Sequence, residues 1–460
     1  MKKLIAVSAV AALAATALSA EITFGAWLRA LAAPVASDGK DTVTAAGNSW
    51  GYGARTARLN VNGKSEDGTA GFSMGIYNDV SMSLSAGDEA NLWIKPLDIV
   101  KVSYGKYDNN TLRGDLCYGS WNWLRPTSSW IAEDEGLLMS GNGATGLMAE
   151  VTPNENLYIQ ALVPITRTQT DAEVTYKNLR AGLAYTIPGT AKIKAQYIGN
   201  GKGSTEEAFY VGGKKVSKTV YDVAEAANKE YKGTLKKVGY TESGDTVYDI
   251  DPTKAPYEIS KTDKVDGNSN CALEAEVDLL AVENLFLGLG FQYNVVKDGD
   301  DFVPEVSDLT DPVEIMNKEL SSKQKMKIAL GTSYKVNDQL KVSASGAFFT
   351  YYKMVDKKID PRFQAGVGVD YDLGDGLAVN ADVRYLSVVK TEGEKVDNTD
   401  HIAFSAGIQK GVSNGYIGIA FQGQTNSGTF ANNVITGKPN DDGEYKNFTW
   451  CIPIALSVWF

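Results

Sequence analysis

Residues 448–460 read FTWCIPIALSVWF, and every even position in the stretch is apolar: Phe448, Trp450, Ile452, Ile454, Leu456, Val458 and Phe460. The odd positions Thr449, Cys451, Pro453, Ala455 and Ser457 are small or polar, and Trp459 alone breaks the alternation. A period of two places the apolar set on one face of a β-strand. Such a strand closes a soluble sandwich or faces lipid in a membrane barrel, and the rest of the chain must separate the two.

The same comb recurs along the chain. In CALEAEVDLLAV (271–282), Leu273, Ala275, Val277 and Leu279 oppose Glu274, Glu276 and Asp278. KMKIALGTSYKV (325–336) and FQAGVGVDYDL (363–373) alternate in the same way. Eighteen such segments are legible, from 22–31 at one end to 448–460 at the other, with 175–187 among them. Alternation is common to sandwiches and barrels, so the connections decide. Every second one is tiny and rich in turn residues: 66–69, 96–98, 153–156, 188–190, 282–284, 337–338, 374–376 and 413–415. Asn, Asp, Gly and Pro supply the backbone angles that tight reversals need. The intervening connections are longer, notably 32–51, 108–144, 201–270, 297–322 and 427–447. Strict alternation of short turns with long loops is the mark of a transmembrane barrel, and a sandwich has no reason to obey it. The expected fold is therefore all-β: an up-and-down antiparallel barrel of eighteen strands over 21–460, with both termini periplasmic.

Composition agrees. Residues 1–20, MKKLIAVSAVAALAATALSA, have the charged start, apolar middle and small-residue exit of a secretory signal peptide. The formal net charge is −11, and removing two lysines with the signal makes the remainder more acidic. With no basic tract, nucleic acid is excluded as a partner. Cys117, Cys271 and Cys451 are too scattered for a disulfide framework. Beyond residue 20 no apolar run is long enough for a membrane helix, whereas 46 Gly and 23 Tyr suit turning sheets with aromatic girdles.

If the apolar parity faces lipid, the other lines a lumen. It carries Arg29, Arg58, Lys101 and Lys194 in the first half of the chain and Glu274, Glu276, Asp278 and Asp382 in the second. So many charges are too costly for a dry core, and a water-filled channel accounts for them. Their grouping by sign points to a transverse field across the pore.

Loop 108–144 stands apart, with Trp121, Trp123 and Trp130 and the acidic run Glu133, Asp134 and Glu135. Its place after the fifth strand resembles that of the constriction loop of general diffusion porins. The preceding ANLWIKPLDIVKVSYGKYDNNTLRG (90–114) is similar to a stretch of spirochaete outer-membrane porin-like proteins. The resemblance implies a porin of the bacterial outer membrane, passing small hydrophilic solutes. General porins have sixteen strands, which is the alternative count. On this reading Asp115 and Glu133 to Glu135 fold inward and face Arg29 and Arg58 across the constriction. Phe460 resembles the terminal aromatic by which the barrel assembly machinery recognises its clients. The other partners implied are outer-membrane lipid and further copies of the chain, as a homotrimer, or none, as a monomer. An adhesin-type barrel acting through long loops such as 201–270 is the alternative function.

Enzymatic readings find no support. Gly141 to Gly146 formally matches GxGxxG, but TGLMAEV (145–151) reads as a strand and no helix follows. His401 is the single histidine and has no nucleophile motif near it. The acids of loop 297–322 lack EF-hand spacing. No catalytic residue, cofactor or metal ligand is assigned.

Overall fold

The computed structural model describes residues 20–45, 55–79, 84–107, 112–115, 138–140, 143–165, 172–204, 207–231, 234–240, 246–251, 259–262, 267–295, 323–352, 359–387, 401–425 and 448–460. They fall into two compact units, one formed by 1–170, 178–199 and 271–460 and the other by 171–177 and 200–270.

The larger unit is a closed antiparallel barrel of eighteen strands. Its first nine are β1 (Ala20–Ser37), β2 (Arg55–Ser65), β3 (Ala70–Asp79), β4 (Leu84–Leu97), β5 (Val100–Tyr107), β6 (Ala144–Asn154), β7 (Leu157–Val163), β8 (Arg180–Ile187) and β9 (Ala191–Gly199). The second nine begin with β10 (Cys271–Leu279), β11 (Leu285–Val295), β12 (Lys323–Lys335), β13 (Leu340–Tyr352) and β14 (Ile359–Gly374). They finish with β15 (Leu377–Leu386), β16 (His401–Val412), β17 (Gly415–Thr425) and β18, which comprises Phe448–Cys451 and Ile454–Trp459. Each strand pairs with its sequence neighbour, and β9 pairs directly with β10 across the 200–270 insertion. The short Thr42–Ala45 segment pairs with the far end of β1, at Ala33 to Ser37, and β2 with its near end, at Ala20 to Leu28.

Closure falls on β1. One of its edges pairs with β2, from Ala20↔Ser65 to Leu28↔Ala57, and the other with β18, from Trp27↔Trp459 to Ala32↔Ile454. Phe460 seals this seam through its backbone: its N–H donates to Ala26 O at 2.8 Å, and its carbonyl accepts from Ala26 N at 3.0 Å. β1 runs to Ser37, beyond the expected limit of 31, and its register slips between Ala33 and Ala36. Pro34 sits inside that slip, where a missing backbone donor is tolerated. Pro453 interrupts β18 without changing its register on β17, since Ile419↔Ile454 and Gln422↔Cys451 belong to one ladder.

The expected strand at 175–187 is corrected at its start. Ala172–Lys177 is a helix, α1, of the smaller unit, and β8 begins at Arg180. Val174 and Tyr176 imitate a strand pattern, but Glu173 in the first turn and Lys177 in the last complement the helix ends and pair at 2.7 Å.

The short connections are turns of the expected kind. Gly68, Gly189 and Gly376 have positive φ, as do Asn284 and Asp375. In the β2–β3 turn, Asp67 accepts hydrogen bonds from the Ser65 hydroxyl and from the amide and hydroxyl of Thr69, which hold its carboxyl below the ordinary value.

The two faces of the wall differ as the parity requires. Outward residues such as Phe24, Leu92, Val367 and Ile417 are more than half exposed, and Phe448, Ile454, Leu456 and Phe460 continue the band on β18. An apolar surface of this extent belongs in lipid, where a closed barrel leaves no strand edge unpaired. Among the described residues no helix is long and apolar enough to cross a membrane.

The smaller unit has its own core. Ala208–Val211 lies between Lys214–Val216 and Ile259–Thr262 in a three-stranded sheet. The helix α2 (Lys218–Tyr231) packs on it through Ala224 and Val211, with the Phe209 and Tyr221 rings 5.1 Å apart. A separate hairpin pairs Thr234–Tyr240 with Thr246–Asp251.

Candidate functional site: the lumen and its inward loop

The two described stems of the β5–β6 loop, 112–115 and 138–140, lie against the inner face of the barrel. They pair with each other, Gly114 N–H donating to Met139 O at 3.1 Å and Leu138 N–H to Asp115 O at 2.9 Å. Leu112, Leu138 and Met139 are fully buried, Leu112 and Met139 packing with Ala184 of β8 and Tyr158 of β7.

Glycine on the wall allows this approach. A Cβ on Gly290 of β11 would stand 1.9 Å from Leu138 O, and one on Gly114 would stand 2.3 Å from Met139 N. Neither position can carry a side chain while the stems keep their place.

Charge then fixes the loop. The Asp115 amide donates to both Glu276 carboxylate oxygens, at 3.0 and 3.2 Å. Lys194 Nζ donates to Arg113 O at 3.2 Å, to Asp115 Oδ2 at 2.8 Å and to Glu276 Oε1 at 3.0 Å, with Asp278 Oδ2 at 3.8 Å. On the second stem Ser140 N–H donates to Glu274 Oε2 at 3.0 Å. The Ser140 hydroxyl donates to the other oxygen of that carboxylate. Gln196 and Gln292 also donate to Glu274, each at 2.6 Å, and Gln196 donates to Ser140 O at 3.1 Å. Lys194, Glu274 and Glu276 are almost wholly buried. Buried ions persist only when paired and hydrogen-bonded, and each of these meets that condition through the loop.

Among the described residues the inner wall is more open along β1 to β4, whereas Lys327, Asp382, Arg384 and Gln422 of later strands are buried. Thr23 and Asn62 are exposed, Asn60 and Glu89 partly so, and together with Arg58 they line a polar cavity of about 460 Å³. Among the described residues the loop stems thus cover the wall along β8 to β11, and a polar cavity opens along β1 to β4.

The sequence-derived candidates divide accordingly. Asp115 lies against the inner wall, where its described cation is Lys194 and neither Arg29 nor Arg58. Arg58 pairs with Glu89 at 3.0 Å, and the Arg29 guanidinium stacks 3.9 Å from the Trp27 ring. Glu133, Asp134 and Glu135 lie outside the described residues, as does the side chain of His401. Several luminal charges are paired locally: besides Arg58 and Glu89, Lys101 meets Glu150 at 2.7 Å and Arg384 meets Asp382 at 3.5 Å. Sequence reasoning placed Lys194, Glu274 and Glu276 on the inner face as part of a transverse field but gave them no contact with the loop. Their parity was readable, whereas their contact with the loop joins residues far apart in the chain. Gln196, Gln292, Ser140 and Gly290 carried no separate signal.

Comparison with solved structures aligns this chain with bacterial outer-membrane proteins. An anion-selective porin from Comamonas acidovorans is 12% identical over 96% of this chain and 100% of that one, with a TM-score of 0.47. The outer-membrane channel DcaP of Acinetobacter baumannii is 12% identical over 96% and 98%, with a TM-score of 0.45. OmpF of Salmonella typhi, in complex with daunomycin, is 8% identical over 96% and 97%, with a TM-score of 0.44. No family model and no curated protein matches the sequence.

Proposed function

We propose that the protein is an outer-membrane porin, a water-filled channel through which small hydrophilic solutes diffuse passively, narrowed by the loop 108–144. The observation that carries this reading is the divided lumen. Conserving an open passage beside an inward loop needs one wall that holds the loop and another that stays wet. Buried Lys194, Glu274 and Glu276 serve the first need, and Thr23, Asn60, Asn62, Arg58 and Glu89 serve the second. A water-filled barrel of this strand number has room for both. In this reading residues 1–20 direct export, both termini lie in the periplasm, Phe460 engages the barrel assembly machinery, and the apolar band meets outer-membrane lipid.

Planar-bilayer recording of the refolded protein is the test. Discrete ohmic steps that persist across salts and small sugars support the channel. Folded protein that inserts without conductance refutes it, and leaves the adhesin-type reading, which the separate core of 200–270 favours, as the function.

A further inference from the structure

We infer that Asp115, Glu276 and Asp278 form an oxygen-ligand site for a divalent cation, tying the inward loop to the barrel wall. One carboxylate oxygen from each residue lies within 4.8 Å of the other two. A cation bound to oxygens at about 2.3–2.6 Å spans that separation. The donors are all carboxylate, with no thiol or imidazole, which selects a hard ion, and calcium tolerates the irregular geometry.

A second observation points to the ligand. Asp278 is only 5% exposed, yet among the described residues neither of its carboxylate oxygens accepts a hydrogen bond. A buried carboxylate in that condition carries the full cost of its lost hydration. Lys194 relieves it only in part, because its ammonium leans to Asp115 and Glu276 and stands 3.8 Å from the nearer Asp278 oxygen.

Charge gives the same answer. Among the described residues Lys194 is the one cation within ion-pair range of the three carboxylates, and Lys192 adds a weaker field at Asp115. Three carboxyl groups share one close ammonium, and a divalent ion supplies the positive charge that the described side chains do not. Calcium enters on the Asp278 side and competes with the Lys194 ammonium for the other two. Bound there, it joins residue 115 of the loop to 276 and 278 of the wall. The site rests on side-chain placement and is independent of whether the barrel conducts.

The test is calorimetric titration of calcium into the refolded full-length protein after EGTA treatment. Wild type is expected to bind one equivalent at roughly 10⁻⁴ to 10⁻³ M, the range of oxygen-ligand sites in extracellular modules. Asp278→Asn should lose that equivalent, and Lys194→Gln should bind it at least about tenfold more tightly, since the competing ammonium is gone. A wild-type isotherm without a saturable equivalent overturns the inference. So does an Asp278→Asn isotherm equal to wild type, or a Lys194→Gln isotherm no tighter than wild type. Should Asp278→Asn fail to refold, the wild-type and Lys194→Gln titrations decide the matter.

Discussion

Replacing Gly290 with alanine is the sharpest probe of the inward loop. The new Cβ would meet Leu138 O at 1.9 Å, its carbonyl carbon at 2.6 Å and its Cα at 2.9 Å, all backbone atoms that cannot rotate away. Restoring ordinary contact requires a shift of about 1.5 Å. The strand cannot supply it, because β11 is laddered along its length to β10 and β12. The loop must yield, and the Ser140 contacts with Glu274 and Gln196 yield with it. Overpacking of this kind costs about 1–3 kcal/mol. Taking about 2 kcal/mol, the population with a released stem rises roughly thirty-fold. Trypsin cleavage after Arg113, whose carbonyl is now held by Lys194, should accelerate by a similar factor, and single-channel conductance should increase. Gly288→Ala is the matched control, since its nearest neighbour is the tip of the Leu138 side chain, which can move aside. Equal cleavage rates and conductances in wild type and Gly290→Ala would show that the stems do not rest on β11.

Three further outcomes are expected. Cysteine at Asp375, on the short-turn end, should resist labelling on intact cells while cysteine at Ser243 reacts; the opposite pattern inverts the proposed topology. Deleting Phe460 removes two backbone hydrogen bonds to Ala26, together about 2 kcal/mol, so a far larger loss of heat-modifiable barrel in cells than on refolding in vitro would mark recognition by the assembly machinery. Neutral amides at Glu133, Asp134 and Glu135 should shift reversal potentials toward anion selectivity if that run borders the passage, and an unchanged potential would place it elsewhere.

The strand order was legible because two independent signals coincide: apolar parity within each strand and turn residues at every second connection. Where they conflict with a local preference the reading slipped, as at α1, whose Val174 and Tyr176 alternate while its end charges favour a helix. β1 likewise runs past the expected limit of 31, through Pro34, which a register slip absorbs. The lumen was half legible. Parity placed Glu276 and Lys194 inside, but the pairing of Asp115 with Lys194 depends on where a loop comes to rest, and no periodicity records that.

The seam at Ala26 and Phe460 also sets the kinetics of the fold. Most strand pairs here join segments next to each other in sequence, so hairpins can form locally and early. The β1–β18 pair joins opposite ends of the described chain, and no local contact prepares it. Its loop-closure entropy falls due in a single late event. Until then β1 and β17 each present a bare edge, able to pair with any other strand at hand. A chain stalled before β18 docks is therefore a template for aggregation, and the rate of that one docking step governs how much of the protein survives to be a barrel.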